Sequence, residues 1–389
     1  MGIRLGEICR FQSGGTPAKG NLEYFNGTIP WITTVSLNGA QICGENAVEW
    51  ITEKAIKESA AKIVPANSIM VGTRVGVGKV AVNTVPMSTS QDIISLLDID
   101  ETKWYKDFLC KYIQGKSAFL NSQARGATIK GIKIDVLSNL NVPDVSIEEQ
   151  IYISQVIDSV RSVISHRHQE LEKLDDLIKA RFVEMFGDML INPKGLSEKR
   201  LDSLADIVSG ITKGRKVKSD ELYEVPYMAV SNVKDGYIDW TTVKTIMATA
   251  AEIDQYRLMP GDVLMTEGGD PDKLGRGAII HEPPQDCIHQ NHIFRVRLKQ
   301  DILLSVFMAQ YLQQQKAKRY FLGCAKQTTG IASINMRQLS ALPVLVPPMK
   351  EQEEYAAFVA QVDKSKVVVQ KALNEAQLLF DSLMQQYFG

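Results

Sequence analysis

The chain has 389 residues, of which 44% are hydrophobic and 23% charged, and its formal net charge at pH 7 is −1. This length and composition are typical of a globular protein with more than one domain, and they exclude a protein that is basic throughout. They do not exclude nucleic-acid binding, because positive charge can be concentrated on one part of a neutral surface.

The chain also lacks the signals of export and membrane insertion. Its N-terminal residues contain no apolar stretch of signal-peptide length, and no apolar run approaches the roughly 20 residues of a membrane span. The five cysteines include no Cys-x-x-Cys pair, which fits a reducing compartment and argues against a disulfide framework or a zinc ribbon. We therefore expect a cytoplasmic protein.

Taken in chain order, the sequence repeats itself at an offset of about 200 residues, which indicates a duplicated unit. Identity between the halves is weak, but the matching points follow one another in the same order. They are Arg4-Leu5 with Arg200-Leu201, Ser13-Gly14 with Ser209-Gly210, Gly78-Lys79 with Gly275-Arg276, Leu137-Ser138 with Leu339-Ser340, and Glu149-Gln150 with Glu351-Gln352.

Within each half, short β-branched and apolar runs separated by Gly, Pro and Asn predict the strands of a mixed sheet. These runs are Ile29–Val35, Ser68–Val71, Lys79–Val85, Ile93–Leu97, Leu140–Val142, Val263–Met265, Gly277–His281, Ile293–Leu298 and Leu342–Val346. A helical segment is predicted near Lys103–Ile113 in the first half and near Ile302–Tyr320 in the second.

Two long helices are predicted from heptad seams, one from Ile147 to Gly187 and one from Lys350 to Phe388. Such a seam needs a partner helix, either within the chain or in a second copy of it. Arg167 and Lys366 interrupt the seams at central positions, which favours pairing within the chain. The predicted seam residues are Ile153, Ile157, Val160, Ile164, Leu171, Leu174, Ile178, Val362, Val369, Leu373, Phe380 and Leu383.

Together these patterns predict an α+β fold with a pseudo-twofold internal repeat. Residues 1–146 and 200–348 form two similar mixed α/β domains. They are separated by two long antiparallel coiled-coil helices, residues 147–190 and 349–389, and residues 191–199 are a linker.

We find no catalytic constellation and expect the chain not to be an enzyme. Gly72–Lys79 superficially resembles a phosphate loop but fails its spacing, and a tight glycine turn between strands is the favoured interpretation. The densest group of residues that could bind a metal ion is His281, Cys287, His289 and His292. Its two last histidines lie three apart in a segment of β character, so they would point to opposite faces, and ordinary strand and loop residues are favoured over a metal site.

Positive charge, by contrast, is concentrated in stretches that lack acidic residues. Asp and Glu are absent between Glu58 and Asp92, between Lys116 and Lys133, from Ile207 to Ser219 and from Ile302 to Lys350, while Lys and Arg occur in each of these stretches. Solvated loops would explain any one of them. Two in each half favour a basic face for DNA phosphates and base edges. The candidate DNA-contacting residues are Lys19, Arg74, Lys79, Arg125, Lys130, Lys133, Lys213, Arg215, Lys216, Arg276, Lys326 and Arg337.

Over its whole length the chain resembles the specificity (DNA-recognition) subunit of type I restriction-modification systems. Order and duplication carry the resemblance, since no one motif is specific. The residues concerned are Arg4-Leu5-Gly6-Glu7-Ile8 with Gly14-Gly15-Thr16-Pro17, the partner stretch from Arg200-Leu201-Asp202 to Gly210, the helix entry Leu342-Pro343, Pro347-Pro348 and Glu351-Gln352, and its degenerate version Leu140 to Pro143 with Glu149-Gln150.

The resemblance implies that each domain reads one half of a split target in double-stranded DNA. The long helices would act as a ruler and dock two DNA adenine methyltransferase subunits, which carry S-adenosylmethionine. Restriction and translocase subunits would use ATP, and this chain would bind no cofactor itself. The alternative from another class is a two-domain coiled-coil scaffold or ligand-binding adaptor without a DNA role.

Overall fold

A computed structural model describes residues 2–126, 130–216, 221–269, 274–328 and 331–389, with only the backbone described at 326–328 and 331. The chain divides into two compact units. Unit 1 comprises Met1–His168 and Lys371–Gly389, and unit 2 comprises Gln169–Gln370. Each unit therefore takes in a part of both long helices, and each is described by itself below.

The elements of unit 1 begin with short strands and lead into a helix of 40 residues. The strands are β1 Gly2–Arg4, β2 Arg10–Ser13, β3 Phe25–Ile32, β4 Gln41–Ile42, β5 Glu49–Ile51, β6 Ile63–Val64, β7 Ile69–Gly72, β8 Val80–Asn83, β9 Met87–Thr89, β10 Ile93–Leu97 and β11 Asn141–Pro143. The helices are α1 Leu5–Ile8, α2 Glu53–Glu58, α3 Lys106–Gly115, α4 Ser117–Gln123, α5 Ile134–Ser138 and the first part, up to His168, of α6 Ile147–Phe186.

The strands of unit 1 form a sheet in the order β2-β10-β7-β8-β4, a sheet in the order β5-β3-β9-β6, and the pair β1-β11. Every residue of β10 is buried, which explains why four of its five residues are apolar, with only Ser95 polar, rather than every second one. Strands β3 and β9 run parallel, with Trp31 opposite Ser88. The core on one side of the larger sheet includes Phe108 and Leu109 of α3.

Unit 2 repeats this sequence of elements. Its strands are β12 Ser197–Arg200, β13 Ala205–Ser209, β14 Tyr223–Met228, β15 Lys244–Ala248, β16 Val263–Thr266, β17 Gly268–Gly269, β18 Gly277–Ile279, β19 Ile288–His289, β20 Ile293–Leu298, β21 Lys326–Thr328, β22 Ile331–Ser333 and β23 Pro343–Val346. Its helices are α7 Leu201–Leu204, α8 Ala250–Tyr256, α9 Ser305–Leu312, α10 Gln315–Cys324, α11 Met336–Ser340 and α12 Met349–Phe388.

The sheets of unit 2 match those of unit 1. The order β13-β20-β16-β18 corresponds to β2-β10-β7-β8, and β15-β14-β19 corresponds to β5-β3-β9. Strands β14 and β19 again run parallel, with Tyr227 opposite Ile288. The predicted duplication and the α+β fold class are therefore confirmed.

Unit 2 departs from the sequence prediction in two places. The prediction of a single helix near Ile302–Tyr320 is wrong, because extended backbone at Gln314 separates α9 from α10. The break allows Phe307 of α9 and Phe321 of α10 to enter the same core. The small sheet of order β17-β22-β21 was not predicted, because its short polar strands lack an apolar pattern.

The long helices begin and end at identifiable signals. The Ser146 hydroxyl accepts a hydrogen bond from the Glu149 amide (3.2 Å) at the start of α6, whereas α12 follows Pro347-Pro348. Helix α6 ends at Gly187, whose φ of +78° is the left-handed conformation that favours glycine. Across the described residues, no helix combines the length and apolar character that crossing a membrane needs.

In unit 1, the first part of α6 packs against the last part of α12. Ile153 and Ile157 are buried in the same core as Phe388, whose ring makes an edge contact with that of Phe108 (centroids 5.4 Å apart). The Arg161 guanidinium lies 5.6 Å from the centre of the Phe380 ring. The two helix segments therefore pair within the chain and run antiparallel.

In unit 2, the last part of α6 packs against the first part of α12. The rings of Phe182 and Phe186 lie 5.5 Å and 5.7 Å from that of Tyr355. Lys366 forms an ion pair with Asp175 of the facing helix, so this interruption of the seam is neutralised. Of the predicted seam residues, Ile153, Ile157, Val362, Val369 and Leu373 are buried and the others are half-buried.

A buried glutamine ties each long helix to the body of its unit. In unit 1, Gln150 has no exposed surface, and its Oε1 accepts a hydrogen bond from the Tyr105 amide (2.8 Å). Its Nε2 donates to the carbonyls of Lys103 (2.9 Å) and Val145 (3.0 Å). The side chain thereby satisfies the backbone both ahead of α3 and ahead of α6.

The equivalent Gln352 of unit 2 makes the same set of bonds. Its Oε1 accepts from the Leu304 amide (2.9 Å), and its Nε2 donates to the carbonyls of Ile302 (3.1 Å) and Pro347 (2.9 Å). Because buried backbone groups must be paired, the glutamine determines how the helix leaves the last strand.

An ion pair holds the segment after β13 against α8. Arg215 donates to Glu252 through Nε (2.7 Å) and Nη2 (2.6 Å), and Nη2 also donates to the Met247 carbonyl (3.2 Å). Glu252 in turn caps α8 by accepting from the Thr249 amide (2.9 Å). The pKa of Glu252 is lowered to about 2, chiefly by the hydrogen bonds from Arg215.

Replacing Gln352 by alanine is expected to lower the free energy of unfolding of unit 2 by about 2–4 kcal/mol, because buried backbone groups lose their partners. Urea unfolding followed by circular dichroism measures the change, and Gln150→Ala is the matching test in unit 1. Gln361→Ala, at an exposed position of α12, is the control. Equal stabilities of the Gln352 and Gln361 variants would contradict a stabilising role for the Gln352 hydrogen bonds.

The Arg215–Glu252 pair predicts a pH dependence. Since the folded-state pKa of Glu252 lies below its ordinary 4.5, the pair stabilises unit 2 fully above that pH and loses this contribution as the pH falls towards about 2. Glu252→Gln should cost on the order of 2 kcal/mol at neutral pH, and the difference from wild type should shrink below pH 4.5. Urea midpoints at several pH values check this, with Glu282→Gln as control. A pH-independent difference would refute the assignment.

Candidate nucleic-acid interface

Three backbone hydrogen bonds bring the ends of separate strands of unit 1 together. The Gly15 amide donates to the Thr89 carbonyl (2.8 Å), the Thr73 amide to the Asp92 carbonyl (2.8 Å), and the Ile132 amide to the Thr73 carbonyl (2.8 Å). We call this meeting point, formed by Gly15, Thr73, Thr89–Asp92 and Ile132, the loop junction of unit 1. It joins the two acid-free stretches of this unit.

Unit 2 has the same junction. The Ile211 amide donates to the His289 carbonyl (2.9 Å), the Glu267 amide to the His292 carbonyl (3.0 Å), and the Ile334 amide to the Glu267 carbonyl (2.8 Å). The loop junction of unit 2 is accordingly formed by Ile211, Glu267, His289–His292 and Ile334. Both of its acid-free stretches also reach it.

Glycine is required where the chain enters each junction. A Cβ on Gly14 would lie 2.2 Å from the Ser90 carbonyl oxygen, and one on Gly210 would lie 2.0 Å from the His289 carbonyl oxygen. Any side chain at either position would clash with backbone. The Ser-Gly pair shared by the two halves of the sequence therefore marks a close approach of two segments.

In unit 1 the junction brings together predicted DNA-contacting residues from distant parts of the sequence. Arg125 pairs through its backbone with Gly131 (2.9 and 3.0 Å), and a Cβ on Gly131 would lie 2.7 Å from Cγ of Arg74. Arg125 and Lys130 are exposed. Arg74 is also exposed and lies 3.5 Å from the Asp92 carboxylate. The basic residues of two stretches thus share one surface.

The other candidates of unit 1 are exposed. Lys79 is exposed at the end of the turn from Gly72 to Lys79, and Lys133 is exposed just before α5. Lys19 is exposed in a turn in which the Asn21 amide donates to the Ala18 carbonyl (3.0 Å). Their contact with DNA stays a prediction.

The turn between β7 and β8 is a tight glycine turn, as predicted. Gly76 and Gly78 have φ of +75° and +84°. The amides of Gly72, Gly78 and Lys79 donate to carbonyls of the same segment (2.8–3.1 Å), and amides already bonded in this way cannot cradle a phosphate.

In unit 2 the predicted residues are distributed differently. Lys213, Lys216 and Arg337 are exposed, whereas Arg276 is half-buried and its backbone carbonyl accepts from the Thr266 amide (3.2 Å). Arg215 is engaged by Glu252, so its guanidinium has a structural partner. Lys326 lies in β21, and its side chain is outside the described part of the structure.

The histidines and the cysteine considered as metal ligands do not act as a group. His281 is exposed and Cys287 is buried. His289 is buried with Nδ1 3.1 Å from the Ile293 carbonyl oxygen, and burial lowers its pKa to about 4. His292 is exposed and contacts Glu267 instead. Within the described residues no three potential ligands come together.

Sequence reasoning missed one feature of a junction and one of the long helices. The Glu267–His292 pair joins residues far apart in the sequence, with Oε2 and Nδ1 2.5 Å apart. The role of Gln150 and Gln352 was also missed, although the repeated Glu-Gln dipeptide was a signal that could have indicated it.

Comparison with known proteins identifies the family. A sequence model of the type I restriction modification DNA specificity domain matches residues 2–175 and again 193–377. The specificity subunit of the type I restriction enzyme EcoKI of Escherichia coli K12 is 23% identical over 356 residues, which cover 86% of this chain and 76% of that protein.

Solved structures share the fold of this chain. A structure described as revealing complex assembly and conformational transition of the type I restriction-modification system aligns with a TM-score of 0.64 at 17% identity, covering 100% of this chain and 97% of that one. The specificity subunit from M. genitalium aligns with a TM-score of 0.54 at 16% identity, covering 100% and 96%. These likenesses show the fold.

The family model matches in both units, and it does so over the same elements that form the two loop junctions. The chain therefore belongs to the type I restriction-modification DNA specificity family and is a specificity subunit, the non-catalytic component of such a system.

Proposed function

We propose that each unit reads one half of a split DNA target through its loop junction, and that the long helices dock DNA methyltransferase and restriction subunits. The observation that carries this proposal is the pair of matched loop junctions, each of which collects acid-free segments from distant parts of its unit. S-adenosylmethionine and ATP are expected on the partner subunits rather than on this chain.

The chemistry of the junctions suits DNA. Exposed Arg125 and Lys130 can neutralise phosphates, which supplies affinity without sequence preference. Reading the sequence requires donors and acceptors at base edges in addition. Asn291 and the Glu267–His292 pair in unit 2, and the Arg74–Asp92 pair in unit 1, provide them.

The junctions share a backbone but differ in side chains. Thr73 and Asp92 of unit 1 occupy the positions of Glu267 and His292 of unit 2, as the matched hydrogen bonds show. A common frame with different reading groups supports two half-sites of different sequence. This arrangement also supports independent reading, because each frame is completed by residues of its own unit.

Exposed apolar residues on the outer side of α12 support partner docking. Val367 and Val368 are 70% and 68% exposed in the unit 2 segment, and Leu378 and Leu379 are 70% and 51% exposed in the unit 1 segment. Neither pair contributes to the seam, and adjacent large apolar residues on a surface favour burial by another chain. We assign these positions to contact with methyltransferase subunits.

The experiment that tests the proposal is methylation mapping of DNA from cells that express this chain with its methyltransferase. We expect methyladenine in a split motif whose one half changes when residues 1–146 are exchanged for those of another specificity subunit. A soluble complex that leaves DNA unmodified and binds duplex DNA without salt dependence would contradict the proposal and favour a scaffold.

Charge removal should act on one half-site at a time. Arg125→Ala with Lys130→Ala is expected to weaken contact with the unit 1 half-site only, and Lys213→Ala with Lys216→Ala that with the other half-site. Each lost phosphate contact should lower the slope of log affinity against log salt by about 0.9. Footprinting over a salt series measures both effects.

The matched control for charge removal is Lys57→Ala, at an exposed position of α2. It should leave both half-sites and the slope unchanged. Equal losses at both half-sites from either double variant would refute reading by separate units.

Partner docking should be sensitive to charge on the apolar surface of α12. Val367→Glu with Val368→Glu is expected to weaken binding of the methyltransferase subunit at least about tenfold, because a charge cannot be buried there unpaired. Pull-down and titration calorimetry measure this binding, and Lys364→Glu is the exposed control. Unchanged binding by the double variant would exclude this surface.

A further inference from the structure

We infer that Glu267 and His292 form the base-reading pair of unit 2, with Glu267 accepting a hydrogen bond from the exocyclic amino group of a cytosine or an adenine. The inference rests on the proposed function and names the residues that give the second half-site its sequence. It follows from the geometry, charge and free space at the loop junction of unit 2.

The pair is held in place from both sides. Oε2 of Glu267 lies 2.5 Å from Nδ1 of His292, which fixes both side chains. The Glu267 amide donates to the His292 carbonyl (3.0 Å), and the Glu267 carbonyl accepts from the Ile334 amide (2.8 Å). Base readout needs such preorganisation, because a mobile side chain loses rotamer entropy on binding.

Glu267 still has an acceptor to offer. Only Oε2 is engaged by His292, and no described residue donates to Oε1. The side chains remain accessible, 35% exposed for Glu267 and 56% for His292. Carboxylate oxygens accept from cytosine N4 in the major groove, and adenine N6 offers the same kind of donor.

The position of the charge supports a reading role. A carboxylate on a DNA-contacting surface is repelled by phosphates, so it weakens non-specific binding. The carboxylate strengthens binding only where it accepts a hydrogen bond from an amino group that some bases carry and others lack. His292 orients it, and Asn291 lies beside His292, with Nδ2 3.5 Å from Nε2.

The surface next to Glu267 leaves room for a base edge. Gly268 and Gly269 follow it and carry no side chains. A Cβ on Gly268 would lie 2.8 Å from the Ala332 carbonyl oxygen, whereas one on Gly269 would meet no described atom within 4 Å. Among the described residues, a nucleic acid can therefore approach the backbone of β17 closely at Gly269.

Unit 1 provides the comparison that assigns specificity to this position. There Thr73 replaces Glu267 and is buried, with its Oγ1 donating to the Asp92 carbonyl (3.1 Å). Asp92 takes the place of His292 and pairs with Arg74 (3.5 Å). The acidic residue of unit 1 thus lies on the segment that carries the basic residue in unit 2, and the basic residue of unit 1 follows Thr73 on the segment that matches Glu267. We therefore assign this pair of positions to the difference between the two half-sites.

The test removes the amino group of the DNA base and the carboxylate of Glu267 in separate experiments. Duplexes carrying the mapped target are prepared with one cytosine replaced by its 4-deamino analogue, or one adenine by purine, at each position of the second half-site. The complex with the methyltransferase should bind one of these duplexes at least about tenfold more weakly. Glu267→Ala should abolish that discrimination, and the base affected shows whether cytosine or adenine is read.

Further variants separate reading from folding. Glu267→Gln and His292→Gln keep the size of the side chains and should change the preferred base at the same position, with the first half-site unchanged as an internal measure of folding. Glu282→Gln, an exposed acid of the same unit, should change nothing. A merely structural role would weaken binding to every duplex equally.

The outcomes distinguish the inference from the proposed function. If the wild-type complex yields no split motif, the proposed function itself fails. If it yields one and Glu267→Gln leaves each base preference of the second half-site intact, only the inference is overturned. A loss confined to the first half-site would overturn it as well.

Discussion

The buried amides of Gln150 and Gln352 are the interaction on which the architecture depends. Each satisfies backbone groups at the start of a helix in the recognition domain and at the exit from the last strand. A buried amide group tolerates few geometries, so the direction in which the long helix leaves its domain is determined by hydrogen bonding as well as by apolar packing. The aromatic cluster of Phe182, Phe186 and Tyr355 then fills the volume under that helix in unit 2.

In each loop junction, the groups that form the backbone frame are distinct from the side chains that we propose to contact bases. Backbone hydrogen bonds and obligatory glycines build the support, and these do not depend on which side chains project from it. Residues at matched positions can therefore differ without loss of the fold, as Asp92 of unit 1 and His292 of unit 2 illustrate. Under the proposed function, this property allows the two half-sites to differ in sequence while the fold is kept.

Electrostatics follow the same division. The chain is nearly neutral, with 44 basic and 45 acidic residues, yet two acid-free stretches reach each junction. The described acids at these sites are paired, Asp92 with Arg74 and Glu267 with His292. Local charge rather than net charge therefore decides where a polyanion can bind.

Periodicity and order in the sequence determined the duplicated α+β fold, the long helices and their seams, and the family, because helix period, strand alternation and repeated dipeptides are local patterns. The tertiary structure alone decided which distant residues meet. It placed Arg74 beside Gly131, gave Arg215 a partner in Glu252, divided the helix predicted near Ile302–Tyr320, and joined Glu267 to His292. Such contacts depend on strand pairing and burial across long stretches of chain, and no local pattern records them.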